Sequence, residues 1–190
     1  MGFGRTEPRC LEVKVRREEG YRLDCLSGIS GKFSACAWKC LPGFEDPLLS
    51  GAKSNASVPE EIARYMWRHF RYESDQTHFG KEDRWQSPEE LLASRQGDCE
   101  DFALFAREIL KSQGIKAFIV NVYGRGFGHS VCVFQKGGRY HVIDGSSSQA
   151  YDATDLKEIF AWVYPFWNKA AIVGFSESAR CGTLLKLFER

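Results

Sequence analysis

The sequence has no apolar run approaching the about 20 residues that a membrane-spanning helix needs. Its first residues, Met1-Gly-Phe-Gly-Arg-Thr-Glu-Pro8, carry no hydrophobic signal core, so the expected compartment is the cytoplasm, with export the alternative if a signal was removed. Charge of one sign is also lacking. Lys and Arg number 26 against 25 Asp and Glu, a net charge of +1, which argues against a dedicated binder of nucleic acid or of an acidic surface. No Cys-x-x-Cys pair, internal repeat or low-complexity segment is present. With 43% hydrophobic residues among 190, the chain is long and apolar enough to fold as one domain, and its function must sit in a local site.

What the chain does have is seven cysteines, an odd number that leaves at least one thiol unpaired by internal bonds. Cys10, Cys25, Cys36 and Cys40 crowd the first quarter. Cys36-x-x-x-Cys40 is a loose match to zinc spacing, and free thiols, disulfides and a metal all remain open readings for this group. Cys99, Cys132 and Cys181 are spread over the rest and need a separate explanation.

Residues 1–57 read as a loop-rich N-terminal cover, with Leu11-Glu-Val-Lys-Val-Arg16 alternating like an exposed edge strand. From Ser57 the pattern becomes helical. Ser57 and Glu60 have capping-box spacing, Pro59 sits in the first turn, and Ile62, Tyr65, Met66, His69 and Phe70 recur at helical intervals. A polar, charged loop leads to Trp85, and Ser87-Pro-Glu-Glu90 opens a second, short helix. Gly97-Asp-Cys-Glu-Asp101 then introduces a third helix, whose buried face carries Phe102, Phe105, Ala106, Ile109 and Leu110, with Gly114 as its stop. Ala117–Tyr123 reads as a buried strand, Gly124–Gly128 as a glycine-rich loop, and two strands flank Gly137-Gly138. A further helix is expected over 154–164, ended by Pro165. Helices followed by an antiparallel meander give the class α+β.

The chemistry concentrates on three of these residues. Cys99 opens a helix, where unpaired backbone N–H groups favour a thiolate and can stabilise an oxyanion, although Asp98, Glu100 and Asp101 surround it with opposing charge. A nucleophilic thiol also needs a base and a group to orient that base. If Gly137-Gly138 is a two-residue hairpin turn, Lys136 faces Arg139, Val133 faces Val142, and Val131 faces Asp144. His129 then shares a sheet face with Asp144 as its diagonal neighbour, within reach of an imidazole nitrogen. The same register places Cys132 and His141 on the opposite face, as packing residues. Trp85 and Gln86 are candidates to line the cleft or donate to the oxyanion, with Trp85 equally readable as a core aromatic. Gln96 is a competing donor, and Gly128 belongs to the loop that could admit a substrate backbone.

Trp85-Gln-Ser-Pro-Glu-Glu-Leu-Leu, Gly97-Asp-Cys-Glu-Asp-Phe-Ala103, Gly114-Ile, Gly128-His-Ser-Val and Val142-Ile-Asp-Gly-Ser, in that order, resemble the transglutaminase-like superfamily of papain-like cysteine enzymes. The resemblance covers about residues 58–148, with a catalytic domain expected over 58–190. It implies a papain-like core with the nucleophile at the N-terminus of a central helix packed on an antiparallel sheet. It also implies a Cys-His-Asp triad of Cys99, His129 and Asp144, acting on a protein or peptide substrate through a thioester acyl-enzyme. Release to water makes the enzyme a cysteine-dependent hydrolase of peptide or side-chain amides. Release to an amine makes it a protein-glutamine transglutaminase, and a non-enzymatic peptide-binding domain that keeps the cleft is the reading from another class. The wording is closest to bacterial transglutaminase-like cysteine proteases, although Gly145 stands where that group continues with Asn. No organic cofactor is required. Some members of the group bind calcium through acids flanking the nucleophile, positions that Asp98 and Glu100 occupy here.

Overall fold

A computed structural model describes residues 58–145, 147–176 and 178–190. The expected N-terminal cover, its edge strand, the first four cysteines and the Ser57 cap lie outside these residues. The described chain opens with α1 (Val58–His69), whose Ile62, Tyr65 and Met66 are buried as their spacing predicts. The loop expected next is partly ordered into β1 (Arg71–Tyr72) and the five-residue α2 (Asp75–Phe79), which ends on Gly80 at φ 65°. Next comes α3 (Pro88–Ser94). Its Ser87 Oγ accepts from the Glu90 backbone N–H and its Glu90 carboxylate from that of Ser87, the capping box read in the sequence. β2 (Gln96–Gly97) pairs in parallel with β1 and delivers the chain to α4 (Cys99–Ser112).

α4 is the central helix. Phe102, Phe105, Ala106, Ile109 and Leu110 are buried, and a fully buried Phe such as Phe105 contributes about 1.5–3 kcal/mol. After α4 the chain builds β3 (Ala117–Gly124), β4 (Phe127–Lys136), β5 (Arg139–Asp144) and β6 (Ser147–Ala153). α5 (Leu156–Val163), β7 (Trp167–Ser176) and β8 (Cys181–Glu189) complete the fold. The six long strands form one antiparallel sheet in the order β6-β5-β4-β3-β7-β8.

Two expectations are corrected. Gly124–Gly128 is not an open loop: β3 runs through Gly124, β4 starts at Phe127, and only Arg125 and Gly126 turn between them. The helix expected over 154–164 begins at Leu156, because Asp155 caps it by accepting from the Lys157 backbone N–H. The chain after Pro165, which has no readable periodic pattern, is two strands, with β7 inserted beside β3.

The sheet has apolar packing on both faces. One face carries Ile119, Cys132, Phe134 and Ile143 against α1, α3 and α4. The other carries Val120, Val122, Val131, Val133 and Val142 against Ile159 and Phe160 of α5. No helix among the described residues is long and apolar enough to cross a membrane.

Candidate active site

The turn into α4 is fixed from several sides. Arg71 N–H donates to the Arg95 carbonyl and Glu73 N–H to the Gly97 carbonyl, tying the turn to β1. Gln86, 2% exposed, then clamps it. Its backbone N–H donates to Asp101 Oδ1 at 2.7 Å, and its Nε2 donates to Asp101 Oδ2 and to the Gln96 carbonyl, each at 2.7 Å. The Asp98 backbone N–H reaches Asp101 Oδ2 at 3.3 Å. Gly97 is required here for space: a Cβ would lie 2.5 Å from Asp101 Oδ2 and 2.8 Å from Leu91 Cδ1.

This scaffold presents Cys99 as the first residue of α4, half-buried and with a free thiol. Its Sγ donates to Glu100 Oε2 at 3.1 Å and accepts from the Ser130 backbone N–H. Burial, then the charges of Glu100 and Asp98, push the thiol well above its ordinary range, with the Ser130 bond acting the other way.

The neighbouring residue on β4 is His129, whose Nε2 lies 2.7 Å from Asp144 Oδ1. Both side chains are partly exposed, at 27% and 31%. The hairpin register read in the sequence is the observed one, from Lys136↔Arg139 to Cys132↔Ile143. Gly137 and Gly138 have φ of 61° and 78°, values that suit glycine at both central positions of the turn. Pairing of β4 with β5 stops at Cys132, so the N–H of Ser130 is not spent on β5 and meets the Cys99 sulfur. His129 and Asp144 therefore meet at the end of the ladder, where helix α4 also begins.

A group of carboxylates adjoins the thiol. Oxygens of Asp75, Asp98 and Asp101 lie within 4.8 Å of one another, as do those of Asp75, Asp83 and Glu100. Burial raises Asp75 to about 7, aided by the charge of Asp98 and opposed by the Arg84 backbone N–H on its carboxylate. Burial also raises Asp101 to about 7, against the Gln86 hydrogen bonds, and it raises Asp98 and, strongly, Glu100. Asp98 Oδ1 is buried without a hydrogen-bond partner, although Oδ2 accepts from the Asp75 backbone N–H. An orphaned, buried carboxylate oxygen among other carboxylates is a donor set suited to a hard divalent cation such as calcium. Asp98 and Glu100 were legible as candidates for this cluster through the resemblance. Asp75 and Asp83 were not, because the loop carrying them has no periodic pattern.

The secondary candidates fare differently. Trp85 is a core residue, 2% exposed, stacked 6.3 Å from Phe175 and seated over Gly182, so it does not line a cleft. Gln86 spends both amide hydrogens on Asp101 and Gln96 and has none to offer an oxyanion in this arrangement. Gln96 contributes its backbone carbonyl to that clamp, and Gly128 pairs with Tyr123 inside the sheet. His69 packs against the Tyr65 ring at 4.4 Å, and His141 stacks on Phe134 at 5.2 Å. Cys132 is fully buried, on the sheet face that meets α4.

A family model described as a transglutaminase-like domain matches residues 48–162. No curated protein matches the chain. Among solved structures, LapG of Legionella pneumophila is 21% identical over 60% of this chain and 64% of that one, with a TM-score of 0.44. Its calcium-bound form is 21% identical over 69% and 66%, with a TM-score of 0.44. The EGTA-treated form is 19% identical over 66% and 69%, at 0.43. The chain thus spans 64% and 66% of the first two LapG chains, just under two thirds.

Proposed function

The chain belongs to the transglutaminase-like domain family, and from that premise we propose that it is a cysteine-dependent hydrolase of peptide or side-chain amide bonds. The observation that carries this reading is a coincidence of two contacts on adjacent residues. His129 is held by Asp144 through Nε2, and the backbone N–H of Ser130 donates to the Cys99 sulfur. With Nε2 engaged, Nδ1 is the nitrogen left to exchange a proton with the thiol.

In the first half-reaction Cys99 passes its proton to His129 and its sulfur adds to the amide carbonyl carbon. The oxyanion collapses as the C–N bond breaks, and the imidazolium gives its proton to the departing nitrogen. Backbone N–H groups at the start of α4 supply fixed dipoles for the oxyanion. In the second half-reaction His129 takes a proton from water, whose oxygen adds to the thioester. The C–S bond breaks, the thiol recovers its proton, and a carboxylic acid leaves. Asp144 holds the imidazole in one tautomer and stabilises its charged form throughout.

Asp75, Asp83, Asp98 and Glu100 would hold a calcium ion beside this site, supported by the orphaned oxygen of Asp98. When bound, the ion supplies positive charge that offsets the carboxylates holding the thiol protonated.

The test is covalent. With calcium present to offset the acids around the thiol, iodoacetamide should label Cys99 first among the seven thiols, and Cys99→Ala should abolish amide hydrolysis. Uniform labelling together with unchanged hydrolysis by the variant would overturn the proposal.

A further inference from the structure

A column of aromatic rings runs outward from His129. The Phe127 ring lies 6.1 Å from the imidazole and stacks on Tyr164 at 4.2 Å, with 18° between the planes. Tyr164 meets Phe166 edge-on at 5.9 Å. Phe166 ends the column 73% exposed, while its neighbour Trp167 is buried. The column joins two distant segments, the β3–β4 hairpin and the turn between α5 and β7. Gly124 makes the junction feasible: a Cβ there would lie 2.2 Å from Tyr164 Cε1 and 2.9 Å from the Phe166 carbonyl oxygen.

A large apolar side chain held in place and left in water forfeits the free energy of burial unless something covers it. The proposed chemistry says what that is. His129 protonates the departing nitrogen, so the part of the substrate attached to that nitrogen lies on the imidazole side of the site. The aromatic column lies on the same side and is continuous with the imidazole. Resting on the hydrolase reading, we infer that Phe166 and Tyr164 form a subsite for an aromatic or branched apolar side chain among the first three residues that follow the scissile bond, because the column carries Phe166 three rings outward from the imidazole. Rigid aromatic walls suit such a group because ring contacts add to simple burial, and contacts in an apolar pocket discriminate by about 10–200-fold.

The experiment digests a tryptic peptide library with the full chain and identifies each cut by mass spectrometry. Phe166→Ala and Phe166→Leu are run beside the wild type, with iodoacetamide alkylation of Cys99 reporting that the nucleophile is intact in each. Phe, Tyr and Leu should be enriched about tenfold over Ala at one of the first three positions after the cut. Phe166→Ala should erase the enrichment and Phe166→Leu should keep part of it. Cuts that depend on Cys99 but show no preference at any of these three positions, or a preference unchanged in Phe166→Ala, overturn the subsite and leave the hydrolase standing. A uniform rise at all cuts in Phe166→Ala also overturns it, by showing that another part of the chain covers the ring. The absence of any Cys99-dependent cut removes the hydrolase reading and the subsite with it.

Discussion

The thiol of Cys99 donates a hydrogen bond to the carboxylate of Glu100, its neighbour in the chain, at 3.1 Å. A helix N-terminus normally favours thiolate, but here burial, Glu100 and Asp98 outweigh it and hold the proton on sulfur. Replacing Glu100 by Gln removes one of these charges and keeps the volume. The pH profile of Cys99 alkylation in Glu100→Gln is therefore expected to move to lower pH, with about tenfold faster labelling on its rising limb for each unit of movement. Calcium added to the wild type should move the profile the same way, and a chelator should reverse it. An unmoved profile under both treatments would show that the carboxylates do not control the thiol.

Asp144 should matter to the rate far more than to the fold. Its side chain is 31% exposed and its Oδ1 reaches His129 Nε2 at 2.7 Å. Asp144→Ala leaves the imidazole free to rotate and to change tautomer. Turnover is expected to fall by about a thousandfold with KM little changed, as for a group that acts in the transition state. Steady-state kinetics on any amide the enzyme cleaves, with thermal melting as the control, decides this. A parallel loss of stability and rate would mark Asp144 as structural.

The parts of this fold that were readable from sequence are those fixed by neighbours in the chain. Two glycines at 137 and 138 set the hairpin register, and the register alone joined His129 to Asp144. The capping box at Ser87 and Glu90 and the apolar spacing after Cys99 are local in the same sense. What escaped depends on distant partners. β7 pairs with β3 across nearly fifty positions of sequence, and no local turn announces it. Asp75 and Asp83 reach the carboxylates that flank Cys99 only because a two-residue parallel pair and a five-residue helix fold their loop back, elements too short for a periodic signal. Trp85 stands in a motif suggestive of a cleft, yet its ring is used to fill the space over Gly182, on a strand near the far end of the chain.

The buried acids make stability depend on pH in an unusual direction. Asp75 and Asp101 are 2% and 1% exposed, and both titrate near 7 in the folded protein because burial penalises their charged forms. An unfolded Asp titrates near 4. Between these values the folded state holds protons that the unfolded state has released, so their contribution is fully present below about pH 4 and is lost as pH rises through about 7. Asp75→Asn removes one of the two titrations and keeps an acceptor for the Arg84 backbone N–H. Its melting temperature should fall less than that of the wild type between pH 5 and pH 8, and at pH 8 it should be higher by about 4 °C. Identical slopes for the two proteins would mean that Asp75 is charged throughout.

Gly97 tests whether the Gln86 clamp positions the nucleophile. The obstacle to a side chain at 97 is Asp101 Oδ2, 2.5 Å from where a Cβ would sit, and Asp101 cannot swing away while two Gln86 donors hold it at 2.7 Å. Gly97→Ala alone is therefore expected to cost about 1–3 kcal/mol of stability, as overpacking does, and to lower turnover by displacing the turn that carries Cys99. A Gln86→Ala background keeps the backbone N–H on Asp101 Oδ1 but removes the Nε2 donor from Oδ2, the oxygen that meets the new methyl group, so Oδ2 can yield. The second substitution should then cost less than it does in the wild type, a coupling that a double-mutant cycle on melting free energies and on turnover measures directly. Additive losses in both readouts would mean that Asp101 is held by the fold around it and that Gln86 does not set the position of the nucleophile.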